Sequence, residues 1–128
     1  MTLTLVRGLP GSGKSTYAKT LNTLHVEADM YHMHDGKYSF DGSRARMAHE
    51  WCQRTVLMAL EYGMDVVVSN TFTERWEIEP YLRLAARFRA HVRIVRMTGT
   101  YGTVHSVPEV TMARMRDRFE AIEGEEIM

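Results

Sequence analysis

Apolar and polar positions along the 128 residues change period several times, and each change marks an element. Residues 2–6, Thr-Leu-Thr-Leu-Val, predict a short first strand, and a helical stretch follows from 14 to about 22. His-Val-Glu-Ala at 25–28 predicts a second strand that ends at Asp29, and the polar, aromatic, glycine-punctuated segment 31–42 reads as a loop. From 43 to about 62, Met47, Ala48, Trp51, Cys52, Val56 and Ala59 recur at helical spacing, and Gly63 stops the helix. Residues 64–68 form the most apolar run and predict a central strand. Thr71-Phe-Thr-Glu74 has capping-box form and predicts a helix to about residue 90, which Pro80 is expected to end, kink or divide. A fourth strand is predicted over 92–97. Ser106-Val-Pro-Glu109 then opens a last helix with Met112, Met115, Phe119 and Ile122 on one face, and 123–128 reads as a frayed end.

This alternation predicts an α/β fold: a three-layer domain on a short, mostly parallel sheet of about four strands, one domain over residues 1–128, which the phosphate loop described next makes a P-loop domain and the resemblance given below makes kinase-like. Ligands of such sheets gather at the carboxyl ends of the strands, which nominates Asp29, Ser69-Asn70 and Met97-Thr98. Between the first strand and first helix lies Gly8-Leu-Pro-Gly-Ser-Gly-Lys-Ser15, a full match to the G-x-x-x-x-G-K-[ST] phosphate-binding loop in its strand–loop–helix setting. Its glycines let several backbone N–H groups converge on one phosphate. Gly11, Ser12, Gly13, Lys14, Ser15 and Thr16 are therefore the predicted nucleotide-binding residues. Lys14 reaches the outer phosphates, and the Ser15 hydroxyl is the predicted ligand for the Mg²⁺ that accompanies ATP.

Composition changes this picture little. Lys+Arg and Asp+Glu both number 16, so zero net charge argues against a broad nonspecific nucleic-acid surface while leaving room for a local basic channel. Only Lys14, Lys19 and Lys37 are lysines, and the arginine excess suits phosphate chemistry without establishing it. The single cysteine, Cys52, excludes an intramolecular disulfide and sits in an apolar helical pattern as a buried thiol. The start of the sequence lacks a signal-peptide pattern and no segment can span a membrane, so a cytoplasmic setting is expected. His25, His32, His34, His49, His91 and His105 show no zinc-motif spacing and read as hydrogen-bonded or solvated side chains. Trp51 and Trp76 read as core residues.

Asp29 has two readings, a general base that takes the proton of an attacking hydroxyl, or a cap on the next turn. Asn70 stands near where many phosphate-loop proteins keep a metal-directed aspartate. It reads as a group orienting an acceptor hydroxyl or a metal-bound water, or as a turn residue.

With these residues in place, the chain over about 3–120 resembles the polynucleotide 5′-hydroxyl kinase family and its phage, bacterial and eukaryotic kinase-like relatives. The likeness rests on the phosphate loop, Asp29-Met-Tyr31, Ala48-His-Glu-Trp51, Ser69-Asn-Thr71, Trp76-Glu-Ile-Glu-Pro-Tyr81 and Ser106-Val-Pro-Glu109. It implies transfer of the ATP γ-phosphate to a hydroxyl on a nucleic-acid end, a nucleotide or another small molecule, with Asp29 as base. Three departures accompany it: His32 stands where the family has arginine, Asn70 where the polynucleotide kinases have aspartate, and 98–107 contains none of the family's lid arginines. Arg96, Arg114 and Arg118 are the predicted substitutes for transition-state charge, with His32 and Asn70 on the acceptor side. The alternative is a nucleotide-binding regulatory or interaction module that transfers little or hydrolyses ATP slowly.

Overall fold

In the computed structural model the described residues are 1–34, 37–38, 42–102 and 107–128, without the side chains of 34, 37 and 38. Strand β1 (Thr2–Arg7) leads through the phosphate loop into α1 (Lys14–Thr20), β2 (Leu24–Val26) and a short α2 (Ala28–Tyr31). A small antiparallel pair, β3 (Met33–His34) and β4 (Lys37–Tyr38), precedes a 3₁₀ turn (Gly42–Arg44) and α3 (Ala45–Glu61). Then follow β5 (Val66–Asn70), α4 (Arg75–Phe88), β6 (His91–Arg96), α5 (Glu109–Arg118) and β7 (Glu126–Ile127).

Five strands form one sheet in the order β2-β5-β1-β6-β7, and every neighbour pair is parallel. At the amino end Leu3 lies between Val66 and Val92, and at the carboxyl end Arg7 lies between Asn70 and Arg96. Side chains alternate between faces, so Leu3, Leu5, Val66 and Val68 enter a core with Cys52, Val56, Leu60, Ile78 and Tyr81 from α3 and α4. Val6, Val67 and Val95 meet Ala18 of α1 on the other face. All five residues of β5 are buried, as expected of a central parallel strand covered on both sides.

Several predicted boundaries move. The second strand stops at Val26, and Ala28, predicted as its last residue, instead opens a helix over 28–31. The central strand begins at Val66 because Met64 closes the α3 turn onto the Ala59 carbonyl and the Asp65 carboxylate accepts the Thr2 N–H. The capping box forms at Glu74 and Glu77 instead of starting at Thr71. Helix α4 runs through Pro80 unbroken. Proline in a helix interior costs about 3 kcal/mol, and burial of Ile78, Tyr81 and Ala85 offsets it at about 1.5–3 kcal/mol per large side chain. Trp76, expected in the core, is 65% exposed, its indole N–H donating to Glu74.

The tail departs most from its sequence reading. Helix α5 ends at Arg118, so Phe119 and Ile122 lie beyond it rather than on its face, and Ile122 joins the main core. Ser106 of the predicted second cap lies outside the described residues. The supposedly frayed end is strand β7, tied to β6 by the Met128 N–H on the Arg96 carbonyl and followed by the Thr98 N–H on the Met128 carbonyl. The sheet therefore has five strands, not about four. Two alternating residues without an apolar pattern carry no strand signal, and pairing to β6 supplies what local sequence does not.

Candidate phosphate-loop site

The loop turns on two glycines in left-handed conformations, Gly11 (φ +80°) and Gly13 (φ +96°), which a side chain would strain. The Gly8 N–H is anchored on the Thr71 carbonyl beyond β5 (3.2 Å), and the Ser12 N–H closes onto the Leu9 carbonyl (3.1 Å). Segment 98–102 folds back over this loop. The Tyr101 N–H donates to the Gly11 carbonyl at 2.8 Å, and the exposed Tyr101 ring lies across Gly13 and Gly99, whose missing Cβ atoms make the room. Ser12 is buried, and its hydroxyl has no hydrogen-bond partner among the described residues.

Lys14 points back into the loop, Nζ donating to the Leu9 carbonyl at 3.0 Å. Burial pushes its ammonium below the ordinary lysine value, and the carboxylates of Glu27 and Asp29 push it back up. An ammonium desolvated beside an unpartnered hydroxyl in a cradle of glycine backbone fits a phosphate ligand. Thr16 is exposed on α1. The Ser15 hydroxyl donates to Glu27 Oε2 at 2.7 Å, and the same oxygen takes the Ser69 hydroxyl at 2.7 Å and lies 3.3 Å from His25 Nε2. His25 Nε2 is also 2.7 Å from Ser69 Oγ. Burial raises the Glu27 carboxyl, but hydrogen bonds from His25, Ser69 and Ser15 outweigh it and hold the group at about 2.

Sequence reasoning missed Glu27. It is the first residue beyond β2, where the strand-end rule looks for ligands, but reading that strand two residues too long shifted the nomination to Asp29. Asp29 itself is exposed in the first turn of α2, close enough for its charge to act on Lys14. Asn70 bridges outward from β5: its side-chain oxygen accepts the Ala28 N–H at 2.9 Å, while its buried Nδ2 has no hydrogen-bond partner among the described residues. His32 is buried with its ring edge-on to Tyr31, which also contacts Trp51 and stacks under the Arg44 guanidinium.

Two of the three nominated arginines have acidic neighbours. Arg96 sits over the Phe119 ring and 3.7 Å from Glu125. Arg118 donates to the Thr73 hydroxyl at 3.1 Å and lies 3.9 Å from Glu74. Arg114 is exposed on α5. His105 lies outside the described residues. Among those described, no group of three His, Cys, Asp or Glu side chains is placed to hold a metal ion on its own, and no helix is long and apolar enough to cross a membrane.

The AAA domain family (AAA_33) matches residues 3–99. The chain belongs to that family. NEDD4-binding protein 2 of Homo sapiens is 30% identical over 94% of this chain, and the chain spans only 8% of that protein's length. Among solved structures, one from the Pnkp1/Rnl/Hen1 RNA repair complex superposes with a TM-score of 0.72 at 16% identity, covering 92% of this chain and 43% of that one. A sugar kinase from Janibacter sp. gives 0.68 at 15% identity, covering 100% and 83%. At such identities the likeness is one of fold: a kinase-like phosphate-loop domain, which makes a nucleoside triphosphate its expected ligand.

Proposed function

We propose that this chain is an ATP-dependent phosphotransferase that moves the γ-phosphate to a hydroxyl acceptor, a nucleic-acid 5′ end, a nucleotide or another small molecule. The observation that carries this reading is the phosphate loop at the carboxyl ends of the strands, with Lys14 drawn back into it and Asp29 in the first turn of α2 just beyond β2. Loop N–H groups and Lys14 hold the donor; the acceptor oxygen attacks the γ-phosphorus in line as the bond to the β–γ bridging oxygen breaks and ADP leaves, and Asp29 receives the acceptor's proton. A bound Mg²⁺ supplies charge neutralisation on the phosphates, with Ser15 as the residue that would hold it. Asn70 and His32 border the acceptor side, next to the Tyr31–Trp51–Arg44 group. The resemblance to polynucleotide kinases, together with the RNA repair complex among its fold relatives, puts a 5′-hydroxyl end first among acceptors, and the sugar kinase relative keeps small hydroxyl compounds in the set.

A second reading, a nucleotide-binding module with little transfer, is favoured by the placement of the arginines. Arginine charge on a transferring phosphoryl group contributes about 10³–10⁵ in rate, yet Arg96 and Arg118 are engaged by Glu125 and Glu74. An acceptor screen with γ-labelled ATP and Mg²⁺ over 5′-hydroxyl DNA and RNA, nucleosides, sugars and water separates the two. Label on an acceptor that disappears with Asp29→Asn, while ATP affinity holds, supports the kinase. Tight ATP binding with no labelled product supports the module.

A further inference from the structure

Strand β5, the neighbour of β1, ends in Ser69-Asn70 and offers no carboxylate. A phosphate-loop hydroxyl ordinarily shares its divalent cation with an acidic residue. Here an acid reaches Ser15 from a different strand. Glu27 follows β2, one place further out in the sheet, and its Oε2 gathers the hydroxyls of Ser15 on α1 and Ser69 at the end of β5, each at 2.7 Å. We infer that Glu27, seated by Ser69 and His25, is the positioning carboxylate through which Ser15 holds the divalent cation of a bound nucleoside triphosphate.

The geometry assigns each atom a task. Ser15 commits its proton to Glu27, which leaves the oxygen lone pairs for a cation on the phosphate side. Glu27 Oε1 accepts no hydrogen bond among the described residues, so it remains available to water carried by that cation. Ser69 and His25 fix the carboxylate from behind, Ser69 Oγ and His25 Nε2 being 2.7 Å apart. The described residues contain no three-ligand cluster, so the cation arrives with the phosphates, and a single negative charge beside Ser15 suffices to favour it.

The inference rests on the nucleotide-binding reading, and the experiment separates failure of the two. Affinity for the non-hydrolysable analogue AMP-PNP is measured by calorimetry with about 5 mM MgCl₂ and again in EDTA, for the wild type, Glu27→Gln, and the double variant Glu27→Ser/Ser69→Asp. Glutamine keeps an oxygen for both serine hydroxyls and removes only the charge. The expected result is that Mg²⁺ tightens wild-type binding and that Glu27→Gln loses about tenfold or more of this gain. Its affinity in EDTA stays equal or improves, because a negative charge has left the phosphate site. Returning the carboxylate from β5 in the double variant restores part of the gain. A Glu27→Gln protein with the full Mg²⁺ gain overturns the inference while leaving nucleotide binding intact. Equal weakening with and without Mg²⁺ also overturns it, as does a double variant that melts like the wild type and regains nothing. A wild type that binds AMP-PNP in neither condition overturns both readings.

Discussion

Glu27 and Glu125 lie on opposite sides of β1, one just after β2 and the other just before β7, and their partners differ in kind. Glu125 Oε1 takes the Arg7 guanidinium at 2.7 Å, Oε2 takes the Ile122 N–H at 3.0 Å, and Arg96 stands 3.7 Å away. Arg7 is fully buried, and its remaining donors grip the carbonyls of Phe72 and Thr73. Phe72 adopts φ +43°, a conformation costing a bulky residue about 1–2 kcal/mol, and two bonds from Arg7 hold it there. Phe119 lies under both Arg7 and Arg96. In this region of framework groups the buried cation already has its fixed anion, which Arg96 shares. Glu27 is bound by hydroxyls and a histidine instead, so its charge remains for something that binds. A carboxylate matched to a buried arginine sets the frame, and one matched to hydroxyls leaves a site.

Breaking the frame is the largest expected effect. Removing one partner of a buried ion pair strands the other charge and costs about 3–5 kcal/mol. Arg7→Met and Glu125→Gln should each lower urea stability by that order, and the resulting loosening of Phe72 and Thr71 should weaken nucleotide binding only secondarily. Glu27→Gln, which keeps its hydroxyl partners and strands no buried cation, should cost less, about 1.5–3 kcal/mol. Equal losses at the two glutamates would erase the distinction.

Lys14→Ala inverts that profile. Charge-assisted contacts to the outer phosphates are worth about 1.5–3 kcal/mol, so ATP affinity should fall by about tenfold to a hundredfold. The melting temperature should hardly move, since the only hydrogen bond the Lys14 side chain makes among the described residues is to the Leu9 carbonyl. Calorimetric titration beside a thermal melt tests both halves, and unchanged affinity would remove the phosphate-loop assignment.

The legibility of the two regions also differs. The phosphate loop and the βα alternation were readable because glycine spacing and apolar period are local properties, and Lys14 and Ser15 stand where the motif puts them. Glu27 required the end of a three-residue strand to be placed within one residue, finer than periodicity allows. The Arg7–Glu125 pair joins residues 118 positions apart, and no local pattern marks an arginine at the end of an apolar strand as buried. Strand β7 was unreadable for the same reason: its two residues are ordered by β6 and not by their own propensity.

Acid titration sharpens the contrast at an intermediate scale. The Glu27 carboxyl is held at about 2 against an ordinary value of 4.5. A depressed acid contributes stability that is present above its unfolded value and lost as pH falls through the folded one. The stability gap between wild type and Glu27→Gln should therefore be widest near pH 7 and close as pH drops from about 5 toward 2. Urea midpoints at four or five pH values test this, and a gap constant with pH would show that the hydrogen bonds to Glu27 do not depend on its charge.

The smallest effect is expected at Cys52, buried on α3 in the main core. Burial pushes its thiol from 9.0 to about 12, with the Asn70 contact lowering it and the charges of Glu27 and Asp29 adding to the rise. At pH 8.5 the folded thiol should resist a disulfide reagent, so labelling waits on opening of the fold. For an acid raised by folding, the stabilising contribution is complete below the unfolded value and is lost as pH climbs from about 9 toward 12. Labelling should therefore follow global stability: Arg7→Met should speed it by about 10²–10³, in step with 3–4 kcal/mol. Glu27→Gln, the milder loss, should speed it by about 10–10². Labelling of the native wild type within seconds would mean that α3 opens locally, and that it is held less firmly than its hydrogen bonds indicate.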